Sequence, residues 1–165
     1  MCQEFKNNKI IFNYYMTKTS RKRGGKGTRK NKSTGSFSAF QKEITVVFLE
    51  MILMVKLFHW KTTSYATHKA TDDLYTKLNA NMDNFIEVLL GKTGLRTDLM
   101  GNKSIKLIDL SSVESFKREI ETFKGYLVSL NDNPSMKRMS NTDLYNIRDT
   151  ILGDLNQLLY LLTFK

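Results

Sequence analysis

An all-α fold follows from three features of this 165-residue chain. It contains a single proline, Pro134, and no run of the period-two alternation that marks a half-buried strand. Apolar residues recur instead at steps of three and four in four separate segments. With 41% apolar residues, those segments can share a core of useful size, and the length suits one domain.

The first helix is expected from Phe37 to Trp60 and is apolar on most sides, as a helix enclosed in a bundle would be. Its richest part, Thr45 to Trp60, is interrupted by Glu50 and Lys56 and is shorter than the roughly 20 residues a membrane span needs. The second helix is expected over about Thr67–Leu90, with Leu74, Leu78, Met82, Phe85 and Leu89 on its core face and Gly91 as the stop. A capping-box pattern, Ser111 followed by Glu114, opens the third, whose core stripe is Phe116, Ile120, Phe123 and Leu127. The fourth starts near Ser140–Thr142 and carries Leu144, Ile147, Ile151, Leu155, Leu158 and Leu162. Short connections make the first and second helices antiparallel neighbours, and likewise the third and fourth. The longer link, about Lys92 to Leu110, can cross the bundle. Four helices with one long crossover between the second and third form the ferritin-like arrangement.

Charge divides the chain differently. Of the net charge of +10, residues 1–36 carry ten Lys and Arg against one acid, Glu4, and so hold +9. Residues 17–36 are basic, glycine-rich and nearly free of apolar side chains, so burial cannot offset the entropy of ordering them. The organisation expected is a disordered basic arm over 1–36 and a four-helix bundle over 37–165. Met16, directly before the basic run, offers an alternative translation start. The first twenty residues lack the compact apolar core of a signal peptide. The single cysteine, Cys2, cannot form an internal disulfide and has no histidine near it in sequence.

A basic arm of this kind meets a polyanion. Arg21, Lys22, Arg23, Lys26, Arg29, Lys30 and Lys32 would touch phosphates without reading sequence, and a stretch so poor in aromatics would not stack on bases. A solubilising tail or a nuclear-localisation signal would have the same composition. No P-loop or dinucleotide fingerprint is present, because the glycines at 24–27 neither follow a strand nor open a helix.

The candidate chemistry lies on the second helix. His68, Asp72, Asp83 and Glu87 are separated by four, eleven and four residues and project from one helical face. Asp72 and Asp83 are nevertheless about 16 Å apart along the axis, so one helix cannot wrap one ion with both pairs. A second antiparallel copy can. The stripe reads symmetrically about a point between Lys77 and Leu78, which brings His68 near Glu87 of the other copy and Asp72 near its Asp83.

A polar stripe opposite an apolar one is ordinarily just a solvated face. Here Thr76 and Asn79 between the pairs are short enough for two helices to approach. The stripe also lacks the Lys or Arg four residues on that a salt-bridged surface prefers. His59, the only other histidine, ends the first helix just before the turn leading to His68. A mixed imidazole and carboxylate set suits iron or zinc better than calcium. No Glu-x-x-His occurs, which excludes the intrachain di-iron site of ordinary ferritins.

The run His59-Trp60, a short loop, His68-x3-Asp72-x10-Asp83-x3-Glu87 and Leu90-Gly91 resembles the ferroxidase region of the Dps family, ferritin-like proteins that protect DNA in starved cells. The last helix, with Asp143-Leu144, Asp154-Leu155 and Leu158 to Leu162, is similar as well, so the resemblance runs from about Phe37 to the end. It implies an iron site at a subunit two-fold that oxidises Fe²⁺ to Fe³⁺ with peroxide or dioxygen, zinc competing for the same ligands. His59, His68 and Asp72 would come from one chain and Asp83 and Glu87 from the other, with Trp60 beside them. It further implies a homodimer at the least and a larger cage at the fullest, non-specific DNA binding, no membrane, and a cytoplasmic or nucleoid-associated location. The chain departs from the family in a shorter loop between the histidines, in Lys61 after His-Trp, and in a link too short for the family's additional helix. Reduced ferritin-like chains of this kind are similar to proteins of large DNA viruses, for which the location would be the virion or nucleus. The alternative reading is a non-enzymatic, structural or virion-associated DNA-binding bundle whose metal site is vestigial.

Overall fold

A computed structural model of the protein describes residues 32–101 and 104–164, with side chains from residue 37 onward. Five helices and one turn make up the described chain: α1 (Lys32–Lys61), α2 (Tyr65–Thr93), α3 (Val113–Ser129), a 3₁₀ turn (Leu130–Asp132), the one-turn α4 (Pro134–Lys137) and α5 (Thr142–Leu161). No strand occurs among the described residues. The fold is therefore all-helical, with α1, α2, α3 and α5 as its four long members.

The ends of the helices differ in detail from the sequence expectation. α1 begins at Lys32, five residues before Phe37, so the last residues read as arm are helical. Once Phe40 and Ile44 anchor the segment, adding a turn costs far less than nucleating one. The arm residues Arg21, Lys22, Arg23, Lys26, Arg29 and Lys30 lie outside the described residues, and Lys32 is described only as the first helical residue. α2 does not stop at Gly91. It continues to Gly94, whose φ of 64° is the left-handed conformation a helix cap favours and whose N–H donates to Leu90 O at 2.9 Å. A helical glycine costs only about 1 kcal/mol, and the extra turn secures Thr93, whose hydroxyl accepts from the Gln41 side chain. In α3 the cap is Ser112 rather than Ser111. Its Oγ accepts from Ser115 N (3.1 Å) while Ser115 Oγ faces Ser112 N (3.3 Å), so Ser115 takes the part expected of Glu114.

Side-chain pairs give the direction of each element. Gln41 meets Thr93 and His59 meets His68, so α1 and α2 are antiparallel. Lys92 pairs with Asp143, and Asn81 with Asp154, so α5 runs antiparallel to α2. The described residues of the link after α2 carry no helix. It climbs beside α1, with Asp98 on Lys42, Lys106 on Glu50 and Asp109 on Lys61, and so returns the chain to the end where α2 began. α3 then descends, from Phe116 stacked on Phe58 at 4.1 Å to Tyr126 bonded to Glu43. The path is up, down, down and up, with one long crossover.

The core lies where the periodicity placed it: Leu74, Leu78, Met82, Phe85 and Leu89 of α2, Phe116, Ile120, Phe123 and Leu127 of α3, and Leu144, Ile151, Leu155 and Leu158 of α5 are buried. Two aromatic contacts tie α1 into it, Phe58 on Phe116 and Phe48 edge-on to Phe85 (5.4 Å), each adding about 0.5–1.5 kcal/mol beyond area burial. α1 is not enclosed all round. Leu53 and Trp60 are exposed and Val46, Leu49 and Leu57 are half-buried along one outward stripe. Among the described residues, no helix is long and apolar enough to cross a membrane.

Candidate metal centre

The tight connection between α1 and α2 brings the two histidines together. Ser64 caps α2, its side chain accepting from Thr67 N at 3.3 Å, and so starts the helix three residues after α1 ends. The turn folds His68 back onto His59 until the imidazole rings stack, with centroids 4.0 Å apart and planes 24° from parallel.

The two rings hold each other through the backbone. His59 Nδ1 lies 3.1 Å from the carbonyl oxygen of His68, and His68 Nδ1 lies 3.2 Å from the carbonyl oxygen of His59. A carbonyl can only accept, so each Nδ1 carries a proton, and Nε2 is the nitrogen left to offer a lone pair to a metal. The His59 carbonyl is one of the last four of α1 and has no partner within that helix, so His68 also caps α1. Thr71 adds a second support. Its hydroxyl donates to the helix carbonyls of Thr67 (2.8 Å) and His68 (3.0 Å), leaving the oxygen to accept from His59 Nδ1 at 3.3 Å. An Nδ1–H on a carbonyl or hydroxyl oxygen, with Nε2 turned outward, is the usual support of a metal-binding histidine.

Asp72 stands in front of this pair, its Oδ1 3.8 Å from His59 Nε2. His59 is buried and His68 half-buried, whereas the Asp72 side chain is 44% exposed and looks outward. Two imidazoles and a carboxylate of one chain therefore share one patch. Asp83 and Glu87, three and four turns further along α2, are exposed and do not join them. Among the described residues, no three His, Cys, Asp or Glu side chains of one chain gather closely enough to hold a metal ion.

Asp83 borders a groove between α2 and α1, lined also by Asn79, Met82 and Ile86 on one side and Phe48, Leu49 and Ile52 on the other. Trp60 is 67% exposed and its ring lies 5.8 Å from Lys56 Nζ, which sits 4.1 Å above the ring of Tyr75. Sequence reading missed Thr71. The signal was there, since Thr67 and Thr71 precede Leu74 and Leu78 on the core face, where a polar residue requires a partner.

A family of unknown function, DUF5856, matches residues 59–162, a segment that opens on His59 and contains all five candidate ligands. No curated protein and no solved structure matches the chain. The match covers well over half of the sequence, and the chain belongs to this family.

Proposed function

We propose that this member of the DUF5856 family is a ferritin-like, Dps-type protein that binds Fe²⁺ between two copies of the chain and oxidises it. The observation that carries the reading is the reciprocal histidine clasp. Both rings spend Nδ1 on backbone carbonyls, and His59 Nε2 lies 3.8 Å from Asp72 Oδ1. The carbonyl bonds alone would serve packing, and it is the Asp72 carboxylate beside His59 Nε2 that supports a ligand role. The up-down-down-up path with one long crossover is the arrangement of ferritin-like bundles and supports the same reading.

Both copies contribute to the ligand set, three residues from one and two from the other. His59, His68 and Asp72 supply two soft nitrogens and one charge, and the second copy's Asp83 and Glu87 supply two further charges. The half-buried Leu49, Ile52 and Ile86 beside Asp83 give that second copy an apolar rim to cover. Three carboxylates favour Fe³⁺ over Fe²⁺ by charge. Two Fe²⁺ ions each give one electron to a peroxide, whose O–O bond breaks to two waters with uptake of two protons, and no hydroxyl radical is released. Zinc, with the same taste for imidazole and carboxylate, competes for the site.

The arm is assigned to DNA by its composition, through phosphate contacts that weaken steeply with salt. Deleting residues 1–31 abolishes binding in this reading, and binding that survives the deletion removes the arm's role.

A complementation experiment tests the shared site. His68→Ala and Asp83→Ala chains are each inactive in rapid Fe²⁺ oxidation. A heterodimer of the two has one doubly broken site and one intact site, so the isolated heterodimer has about half of wild-type activity and a freely exchanging equal mixture about a quarter. Failure to complement, with both variants helical and dimeric, refutes the intersubunit site. A wild-type chain that is an inert monomer supports the structural DNA-binding reading instead.

A further inference from the structure

One face of the molecule carries both a projection and a groove of matching character. On the outward stripe of α1, Trp60 is the largest side chain and is 67% exposed. Its indole does not stand straight out. A long side chain on a helix leans toward the N-terminus, and the ring accordingly lies 5.8 Å from the Nζ of Lys56, one turn earlier. At the other end of the face is the groove beside Asp83, about 220 Å³ in volume, whose apolar lining includes Phe48, Leu49, Ile52 and Ile86. An apolar cavity of about 150 Å³ already takes benzene, so this groove has room for an indole.

The spacing of the two features is what a two-fold requires. An isologous interface uses the same patch on both copies, so a projection and its seat must lie equally far from the axis on opposite sides. The symmetric stripe on α2 centres that axis between Lys77 and Leu78. α1 runs antiparallel to α2, and Lys56 sits 4.1 Å over the ring of Tyr75, so the centre is level with about Leu53 of α1. The Trp60 ring, leaning back toward Lys56, lies about one turn beyond Leu53, and Leu49 in the groove lies about one turn before it. Rotation about that centre exchanges the two. It also brings Leu53, itself 37% exposed, toward its own copy.

Charge follows the same exchange. Lys56 has two aromatic rings as partners and no carboxylate among the described residues, while Asp83 and Glu87 have no cation. The rotation carries Lys56 toward the acidic end of the other copy. Each copy thus offers the other an aromatic anchor, an apolar seat and a complementary charge.

We propose that Trp60 of each copy seats in the α1–α2 groove of the other, and that this reciprocal anchor holds the dimer together before any metal binds. The two-fold is that of the shared iron site proposed above, on which this assignment rests, but the anchor itself needs no iron. An aromatic side chain desolvated in a pocket near the centre of an interface supplies a large share of its binding energy. Packing then brings Asp83 and Glu87 to the histidines of the other copy, and a metal ion enters a site already assembled.

Trp60 is the only tryptophan of the chain, so its fluorescence reads the seat directly. For the full chain in EDTA, sedimentation across a concentration series detects a dimer, and as it forms the emission shifts to the blue and iodide quenching falls. Trp60→Ala, at an exposed position, keeps its helix content and raises the dimer dissociation constant at least about 30-fold. Asn79→Tyr, at an exposed position on the rim, fills the groove from its own side, weakens the dimer and leaves the indole open to iodide. Mixed, the two variants pair with each other more tightly than either pairs with itself, because the mixed dimer keeps one Trp60 opposite one open groove. A dimer whose indole is as accessible to iodide as the monomer's overturns the proposal and leaves the iron site standing. A blue shift independent of concentration means that the same chain covers the indole, and a chain that stays monomeric in EDTA leaves the groove to another partner; either overturns the anchor. A dimer with a seated indole that does not oxidise Fe²⁺ upholds the anchor and refutes the iron reading instead.

Discussion

The two ends of the α2 stripe are finished to different degrees. At the N-terminal end, His68 is locked to His59 by two hydrogen bonds to backbone carbonyls, Thr71 braces the pair, and Asp72 stands 3.8 Å from His59 Nε2. At the C-terminal end, Asp83 and Glu87 are exposed and have neither a hydrogen bond nor an ion pair among the described residues. Both ends have the residue types of a metal site, but only one has the support that fixes ligand geometry. The difference fits a division of labour in which one copy supplies oriented imidazoles and the other supplies adaptable carboxylates.

Substitutions at the two ends separate stability from chemistry. The largest combined effect is expected of His59→Ala. It opens a hole between α1 and α2 and removes one of the two side-chain donors to the His68 carbonyl, Thr71 remaining, at a cost of roughly 1–3 kcal/mol by thermal melt. Iron oxidation in stopped flow falls more than about 100-fold, beyond what loss of a supporting partner alone produces. Glu87→Ala should match that loss of rate while leaving stability within about 0.5 kcal/mol, as expected of an exposed position. A large drop in its melting temperature would break the comparison.

Thr71→Val keeps the shape of the brace and removes its oxygen. Metal affinity, read by Zn²⁺ or Fe²⁺ titration, should weaken by about 10–100-fold, with a stability change near 1 kcal/mol. The smallest effect is expected of Asp73→Asn, one position off the stripe and exposed. Its oxidation rate should equal wild type and its stability stay within about 0.5 kcal/mol. A rate loss equal to that of Glu87→Ala would mean that general negative charge, rather than the stripe, attracts the iron.

Much of this architecture was legible beforehand, because helical periodicity is a local property. The core stripes of α2 and α3, and all but Ile147 of the α5 stripe, are buried as read, and the stripe from His68 to Glu87 does share one face. Less was legible where competing local signals lay one turn or one residue apart. Gly91 and Gly94 are equally good stops in isolation, and what selects Gly94 is the partner that Gln41 of α1 offers to Thr93. Ser111 and Ser112 are equally good caps, and the one that points Phe116 and Ile120 inward prevails.

By itself the sequence determined the helices, the angle of each residue about its own helix axis, the uneven charge of the two regions and the imidazole and carboxylate stripe on α2. Those properties depend on neighbours within about one turn. Only the tertiary structure decided which nitrogen of each histidine is committed, that Thr71 braces His59, and that the Lys106 N–H of the crossover meets Glu50 of α1. Each of these is a contact between elements whose approach is set by the packing of the whole core, and an angle about one axis does not say which neighbour lies there.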